Sequence, residues 1–212
     1  MDKLIIWGAT GQALVIEELI SNYKIEIVAF FENNINVISP IENLPIYYGI
    51  DGFKKWIKQY PNHHNCYFLV AIGGANGQSR KEISLMLKGY GFKPYTAIHS
   101  TAYVATNAQI GEGSQILAKS VVCAKVKIGN YCIINTACNI DHECIIGNYV
   151  HIGPGATLAG CIEIKDNTFV GSNATILPKL KIGKNVIIGA GAVVTKNVAD
   201  NSMLVGNPAK II

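Results

Sequence analysis

From Ile98 to Val194 every sixth residue is Ile, Val or Leu, seventeen positions in phase without a break. The residue four places on is often small, as at Ala102, Ala108, Ser114, Cys132, Cys138, Cys144, Ala156, Ala174 and Ala192, and Gly commonly follows the aliphatic residue, as at 111, 129, 147, 153, 171, 183 and 189. A period of six is neither that of an α-helix nor that of a simple alternating strand. It fits short strands joined by turns, each turn needing a residue that tolerates positive φ. Three hexapeptides make one triangular coil of eighteen residues, with the aliphatic residue inside and the small one at the corner. Stacked coils then lie roughly 4.8 Å apart, like residue over like. The run supplies between five and six coils.

The first part of the chain follows another rhythm. An apolar strand at 3–7 leads into Gly8-Ala-Thr-Gly-Gln-Ala and a helix through about Asn22. A strand at 26–31 ends at Glu32, a short one is expected at 45–48 and a helix at 51–59. A strand at 67–72 ends on Gly73-Gly74, and a helix covers 79–88. Strands alternating with helices predict a small parallel sheet of Rossmann-like type. The change of period divides the chain into an α/β domain, 1–96, and a parallel β-helix with a C-terminal tail, 97–212.

Composition narrows the function. Half the 212 residues are hydrophobic and 15% are charged, with a net charge of +4 spread along the chain. No basic run of nucleic-acid type occurs, and no apolar run approaches a membrane span of about 18 residues. Nothing at the start reads as a signal peptide. The reading is a cytoplasmic protein with neither nucleic-acid nor membrane partners. The six cysteines have no CxxC spacing and are expected as reduced thiols. Cys132, Cys138 and Cys144, one repeat apart, fall on three faces of a coil and read as packing residues, not metal ligands. Cys161 is less firmly placed.

Three features of the first domain fall at the carboxyl ends of strands, where open α/β sheets bind ligands. Thr10, Gly11 and Gln12 open a helix whose N-terminus favours an anion. Glu32, with Asn33, ends the second strand, where a carboxylate can take sugar hydroxyls. Gly73 would let a ligand approach the backbone. A tight strand-to-helix turn and a solvated acid are the alternatives.

Of the five histidines, His63 and His64 read as loop and His99 as the cap of the β-helix. His142, two residues beyond inward Ile140, should project from its coil, flanked by Asp141 and Glu143, with Asn135 one segment back. An imidazole beside a carboxylate suits general-base catalysis.

The motifs Ile-Ile-Trp-Gly-Ala-Thr-Gly (5–11), Val-Ala-Ile-Gly-Gly (70–74), Asn-Ile-Asp-His-Glu-Cys-Ile-Ile-Gly (139–147) and Val-Gly-Asn-Pro-Ala-Lys (205–210) make the whole chain resemble the bacterial hexapeptide-repeat sugar acetyltransferases. These include the N-acetyltransferases of UDP-linked 4-amino-4,6-dideoxy sugars and the sialic acid O-acetyltransferases. The resemblance implies a left-handed β-helix, a homotrimer, acetyl-coenzyme A as co-substrate, no metal, and a nucleotide-linked amino sugar held by the first domain for surface glycan synthesis. It implies His142 as base, Glu143 and Asn135 as its orienting groups, and acetyl-coenzyme A contacts at His151, Ser172 and Ala190. Asp141 and the Phe30-Phe31-Glu32-Asn33 stretch depart from the common Glu-His-Glu and Asp-Asp forms. The His-Glu pair leans toward amine acetylation. O-acetylation and a non-catalytic nucleotide-sugar-binding protein are the alternatives, and a zinc hydrolase would need three convergent histidines.

Overall fold

The computed structural model describes residues 1–212. They form two compact units, Met1–Ile72 with Ser79–Thr96, and Gly73–Gln78 with Ala97–Ile212. No helix is long and apolar enough to cross a membrane.

The first unit is a five-stranded parallel sheet built from β1 (Asp2–Trp7), β2 (Ile25–Glu32), β3 (Ile46–Tyr48), β4 (Tyr67–Val70) and β5 (Lys93–Pro94), in the order β3-β2-β1-β4-β5. The helices are α1 (Gly11–Ile20), α2 (Gly49–Gln59) and α3 (Gly77–Gly89), so α1 stops two residues short of Asn22 and α3 starts two before Ser79. Strands β1, β2 and β4 are apolar on both faces because helices cover a parallel sheet on both sides. Leu4, Ile5, Ile6, Phe30, Phe31 and Phe68 are fully buried. Trp7 stacks on Phe31 at 5.5 Å, and Phe53 of α2 meets both rings edge-on.

The strand order reverses between β1 and β4, the switch point at which such sheets bind ligands. Gly8 there has φ +102°, and a Cβ on it would lie 2.5 Å from Ala71 O. Any other residue would be both strained and clashing, so the turn after β1 can lie against Ala71 only with a glycine at position 8.

The second unit is a triangular parallel β-helix of two-residue strands. Its first face runs from Ala97–Ile98 through Gln115–Ile116, Ile133–Ile134, His151–Ile152 and Phe169–Val170 to Ile187–Ile188, extended by Met203–Val205 and antiparallel Lys210–Ile211. The second face runs from Tyr103–Val104 to Val193–Val194, and the third from Gln109–Ile110 to Lys181–Ile182. Strands eighteen residues apart pair in parallel register, as Ile134↔Ile152 and Ile140↔Leu158 show. The six-residue set points inward and fills the core with Ile116, Val122, Ile134, Ile140, Ile152, Leu158, Val170 and Ile188, beside the corner residues Cys132, Cys138, Cys144 and Ala156. Burial pushes the Cys138 thiol up to about 12 and the Cys144 thiol up to about 11, so both stay protonated packing groups.

Corners turn through residues with φ near +60°, among them Lys125, Glu143, Cys161, Asn167 and Lys179. Most corner N–H groups are tied to a backbone carbonyl on the coil below, as Cys161 N is to His142 O at 2.9 Å, and Lys125 N is tied to the Asn107 side chain at 3.0 Å. Segment Gly73–Gln78 belongs to this unit: a Cβ on Gly77 would lie 2.9 Å from Tyr149 O and Asn167 Cα, so the chain passes close enough to admit only glycine.

The inward–outward distinction sets an energetic contrast. Leu158→Ala, at a fully buried position, is expected to cost about 2–5 kcal/mol, whereas Lys127→Ala on the exposed third face should stay within about 0.5 kcal/mol. Denaturant midpoints of the two variants check this.

Candidate active site

His142 lies at the corner between the second and third faces, two residues past inward Ile140. Asp141 accepts its backbone N–H through Oδ1 at 2.7 Å, which fixes the start of the corner. The imidazole and the Glu143 side chain are each about half exposed, 51% and 50%. His142 Nδ1 lies 3.2 Å from Glu143 Oε2. A carboxylate only accepts, so Nδ1 carries the proton and Nε2 is left with its lone pair.

The coil above and the coil below complete the surroundings. Gly160 is one coil above His142, and a Cβ there would lie 2.6 Å from Nε2 and 2.7 Å from Cε1. The imidazole therefore lies across a glycine and holds its position because nothing projects at 160. Glu143 stands in a column with Lys125 below, whose Nζ is 3.7 Å from Oε1, and Cys161 above, whose Sγ is 3.9 Å from Oε2. The pair with Lys125 is exposed and adds little stability. Neither Gly160 nor Cys161 stands near His142 in the sequence. The signal for both is the eighteen-residue offset of one coil.

Asn135 is not part of this corner. It follows the first-face strand Ile133–Ile134 and sits at the edge between the first and second faces, where its amide Nδ2 donates to His151 Nε2 at 3.1 Å. The expectation that it orients His142 is corrected: within one chain the two residues are on different corners of the triangle. His151 is 5% exposed and edge-on to Phe169 at 5.3 Å.

Ser172 and Ala190 lie on the same edge as Asn135, on higher coils, with Ser172 O accepting Gly191 N at 2.8 Å. The sequence-predicted set therefore separates into two groups, His142 with Glu143 on one corner, and Asn135, His151, Ser172 and Ala190 along another. Gly153 and Gly171 keep the second edge low. A Cβ on either would come within 2.7 Å of the next coil's backbone, 2.7 Å from Val170 O and 2.6 Å from Ala190 N respectively.

In the first unit, Thr10 precedes α1 without a side-chain cap, and the first turn of the helix holds no acidic residue. The N-terminus of α1 thus presents the positive end of its dipole with no carboxylate of its own. Glu32 has a part within the fold. Its Oε2 accepts Ala9 N at 3.0 Å, and its Oε1 accepts Asn33 N at 2.7 Å and Asn34 N at 3.1 Å. Three backbone donors make it a brace that ties the end of β2 to the turn after β1. Gly73, whose carbonyl accepts Asn76 Nδ2 at 2.9 Å, groups with the second unit, while Thr10, Gly11, Gln12, Glu32 and Asn33 group with the first.

Removing the Glu32 brace leaves the N–H of buried Ala9 without its acceptor. Glu32→Ala should lower stability by about 1–3 kcal/mol, with Glu32→Gln, which keeps one carbonyl oxygen, losing less. Thermal melts of both variants decide it, and equal losses would contradict the assignment.

Known proteins share these two domains and this fold. The family model described as "Bacterial transferase hexapeptide (six repeats)" matches residues 125–160 and 161–196, and the one described as "PglD N-terminal domain" matches residues 3–87. The chain is 38% identical over 101 residues to a GDP-perosamine N-acetyltransferase of Escherichia coli O157:H7, a match spanning 48% of this chain and 45% of that relative. The chain therefore matches about half the length of that curated relative.

Two solved structures extend the likeness to the whole chain. PerB from Caulobacter crescentus, in complex with CoA and GDP-perosamine, superposes with a TM-score of 0.88 at 28% identity, covering 100% of this chain and 98% of that one. The acetyltransferase domain of PglB from Neisseria gonorrhoeae FA1090, in complex with acetyl coenzyme A, superposes with a TM-score of 0.85 at 30% identity, covering 99% and 98%.

Proposed function

The chain belongs to the hexapeptide-repeat sugar acetyltransferases, and from that premise we propose that it transfers the acetyl group of acetyl-coenzyme A to the amino group of a nucleotide-linked amino sugar. One observation carries the reading: a hydrogen-bonded His142–Glu143 pair whose Nε2 is held over Gly160 with its lone pair available.

His142 Nε2 takes the proton from the neutral substrate amine as that amine attacks. The nitrogen bonds to the thioester carbonyl carbon, the carbon–sulfur bond breaks, and the imidazolium returns its proton to the departing thiolate. Glu143 holds the tautomer and offsets the positive charge on the ring between the two transfers. No acyl-cysteine is needed, and Cys138 and Cys144 are buried and held protonated.

The low edge with Asn135, His151, Ser172 and Ala190 suits the extended thioester-bearing arm of acetyl-coenzyme A. Glycines keep side chains from blocking it, and the Asn135–His151 hydrogen bond supplies a fixed polar point. His142 is on another corner of the same chain. A homotrimer supports both facts, because it sets the His142 corner of one β-helix against the Asn135 edge of its neighbour. The chain mass of 22.9 kDa should then appear threefold in sedimentation equilibrium, and a monomeric mass at full activity would remove this arrangement.

The α/β unit holds the nucleotide sugar, with the diphosphate at the N-terminus of α1 near Thr10, Gly11 and Gln12. The likeness to GDP-perosamine N-acetyltransferases supports a GDP-linked amino sugar ahead of a UDP-linked one. Such an enzyme works in the cytoplasm, where both substrates are made, and its product enters surface glycan assembly.

Coenzyme A thiol release tests the reading with acetyl-coenzyme A and GDP-, UDP- and dTDP-linked amino sugars, with sialic acid as the O-acetylation control. Release with an amino sugar is expected, and His142→Ala should lower kcat by about 10²–10⁴-fold. Release confined to sialic acid would overturn amine transfer. Gly160→Ala is a sharper probe. Gly160 has an ordinary φ, and the nearest atoms to its added methyl are those of the half-exposed His142 ring. The melting temperature should hold while kcat falls by about 10²-fold, the effect of displacing a reacting group by about 1 Å.

A further inference from the structure

We propose that His142, Glu143 and Cys161 form a reversible Zn²⁺ site whose occupation switches off the base. The inhibitory half rests on the acetyltransferase reading; the binding half stands on the geometry alone.

His142 Nδ1, a Glu143 carboxylate oxygen and Cys161 Sγ all lie within 4.8 Å of one another. The Nδ1–Oε2 separation is 3.2 Å and the Sγ–Oε2 separation 3.9 Å. Tetrahedral zinc, with bonds of about 2.0–2.3 Å, needs donors roughly 3.3–3.6 Å apart. Small side-chain rotations supply that, without any backbone movement. The backbone is already set: Cys161 N donates to His142 O at 2.9 Å and Glu143 N to Ala124 O at 3.0 Å, and both residues turn at φ near +60° (60° and 61°) on successive coils. Imidazole, carboxylate and thiolate together suit zinc better than magnesium or calcium. Three protein donors leave a fourth position for water. Cys161 is partly exposed, so an ion reaches it.

On binding, the single imidazole proton shifts from Nδ1 to Nε2 by exchange with solvent, and the Cys161 thiol releases its own proton to solvent. A neutral imidazole metallated on Nδ1 carries its remaining proton on Nε2, the atom that must accept one from the amine. The metal therefore removes the base by changing its tautomer while the fold stays as it is. Lys125, 3.7 Å from the other Glu143 oxygen, opposes the ion and keeps the site reversible.

The test uses untagged full-length protein titrated with Co²⁺ and with Zn²⁺, as wild type, Cys161→Ser and Cys123→Ser. Cys123 is the control, a partly exposed thiol hydrogen-bonded to Asp141. Wild type and Cys123→Ser should show thiolate-to-cobalt charge-transfer absorption at one ion per chain. Zinc should block thiol release and a chelator restore it. Cys161→Ser should lose the absorption and, measured against its own activity in chelator, need about tenfold more zinc or higher for inhibition. Absence of the absorption in wild type, or equal zinc sensitivity in Cys161→Ser, overturns the proposal. A chain inactive with every acceptor would count against the transferase reading, while the cobalt spectrum would still decide the site.

Discussion

The eighteen-residue stacking of aliphatic side chains is the constraint on which the rest of the second unit depends. Each inward Ile, Val or Leu sits on its counterpart in the next coil, and the backbone ladder locks that register. A slip of one residue would carry the whole inward set to the outside. Because the register cannot slip, a corner residue has fixed neighbours eighteen positions away. That is how an exposed histidine acquires a defined position: Gly160 gives its ring a flat bed, and Glu143 is held between Lys125 and Cys161. Precision at this site comes from the core beneath it, since the side chains themselves are half exposed.

The first unit depends on a comparable economy. The turn after β1 has to approach the loop after β4 so closely that only Gly8 fits, and the Glu32 carboxylate fastens the same turn to the end of β2. The α1 N-terminus is thereby presented at the sheet's switch point on a rigid support, which suits binding of a nucleotide diphosphate.

The six-residue period was legible because a buried core tolerates few residue types, and all seventeen predicted inward positions keep the phase in the structure. His142 was legible as a projecting residue for the same reason. The partner of Asn135 was not. Proximity in a triangular coil depends on position within eighteen residues, so seven residues along the chain put Asn135 and His142 on different corners, while sixteen bring Asn135 to His151. Gly160 and Cys161 were hidden by the same geometry, although adding one coil to 142 and 143 finds both. The part of Glu32 in the fold was not legible, because it depends on the directions of nearby backbone N–H groups.

The central claim is that acetyl moves from sulfur to a sugar nitrogen under the control of His142. Reaction of carbonyl-¹³C acetyl-coenzyme A with a GDP-linked amino sugar carrying ¹⁵N at the amine tests it in one NMR spectrum. The account predicts a one-bond ¹³C–¹⁵N coupling in the product, dependent on the His142 imidazole. A ¹³C acetyl signal without that coupling would place the acetyl group on oxygen and contradict it.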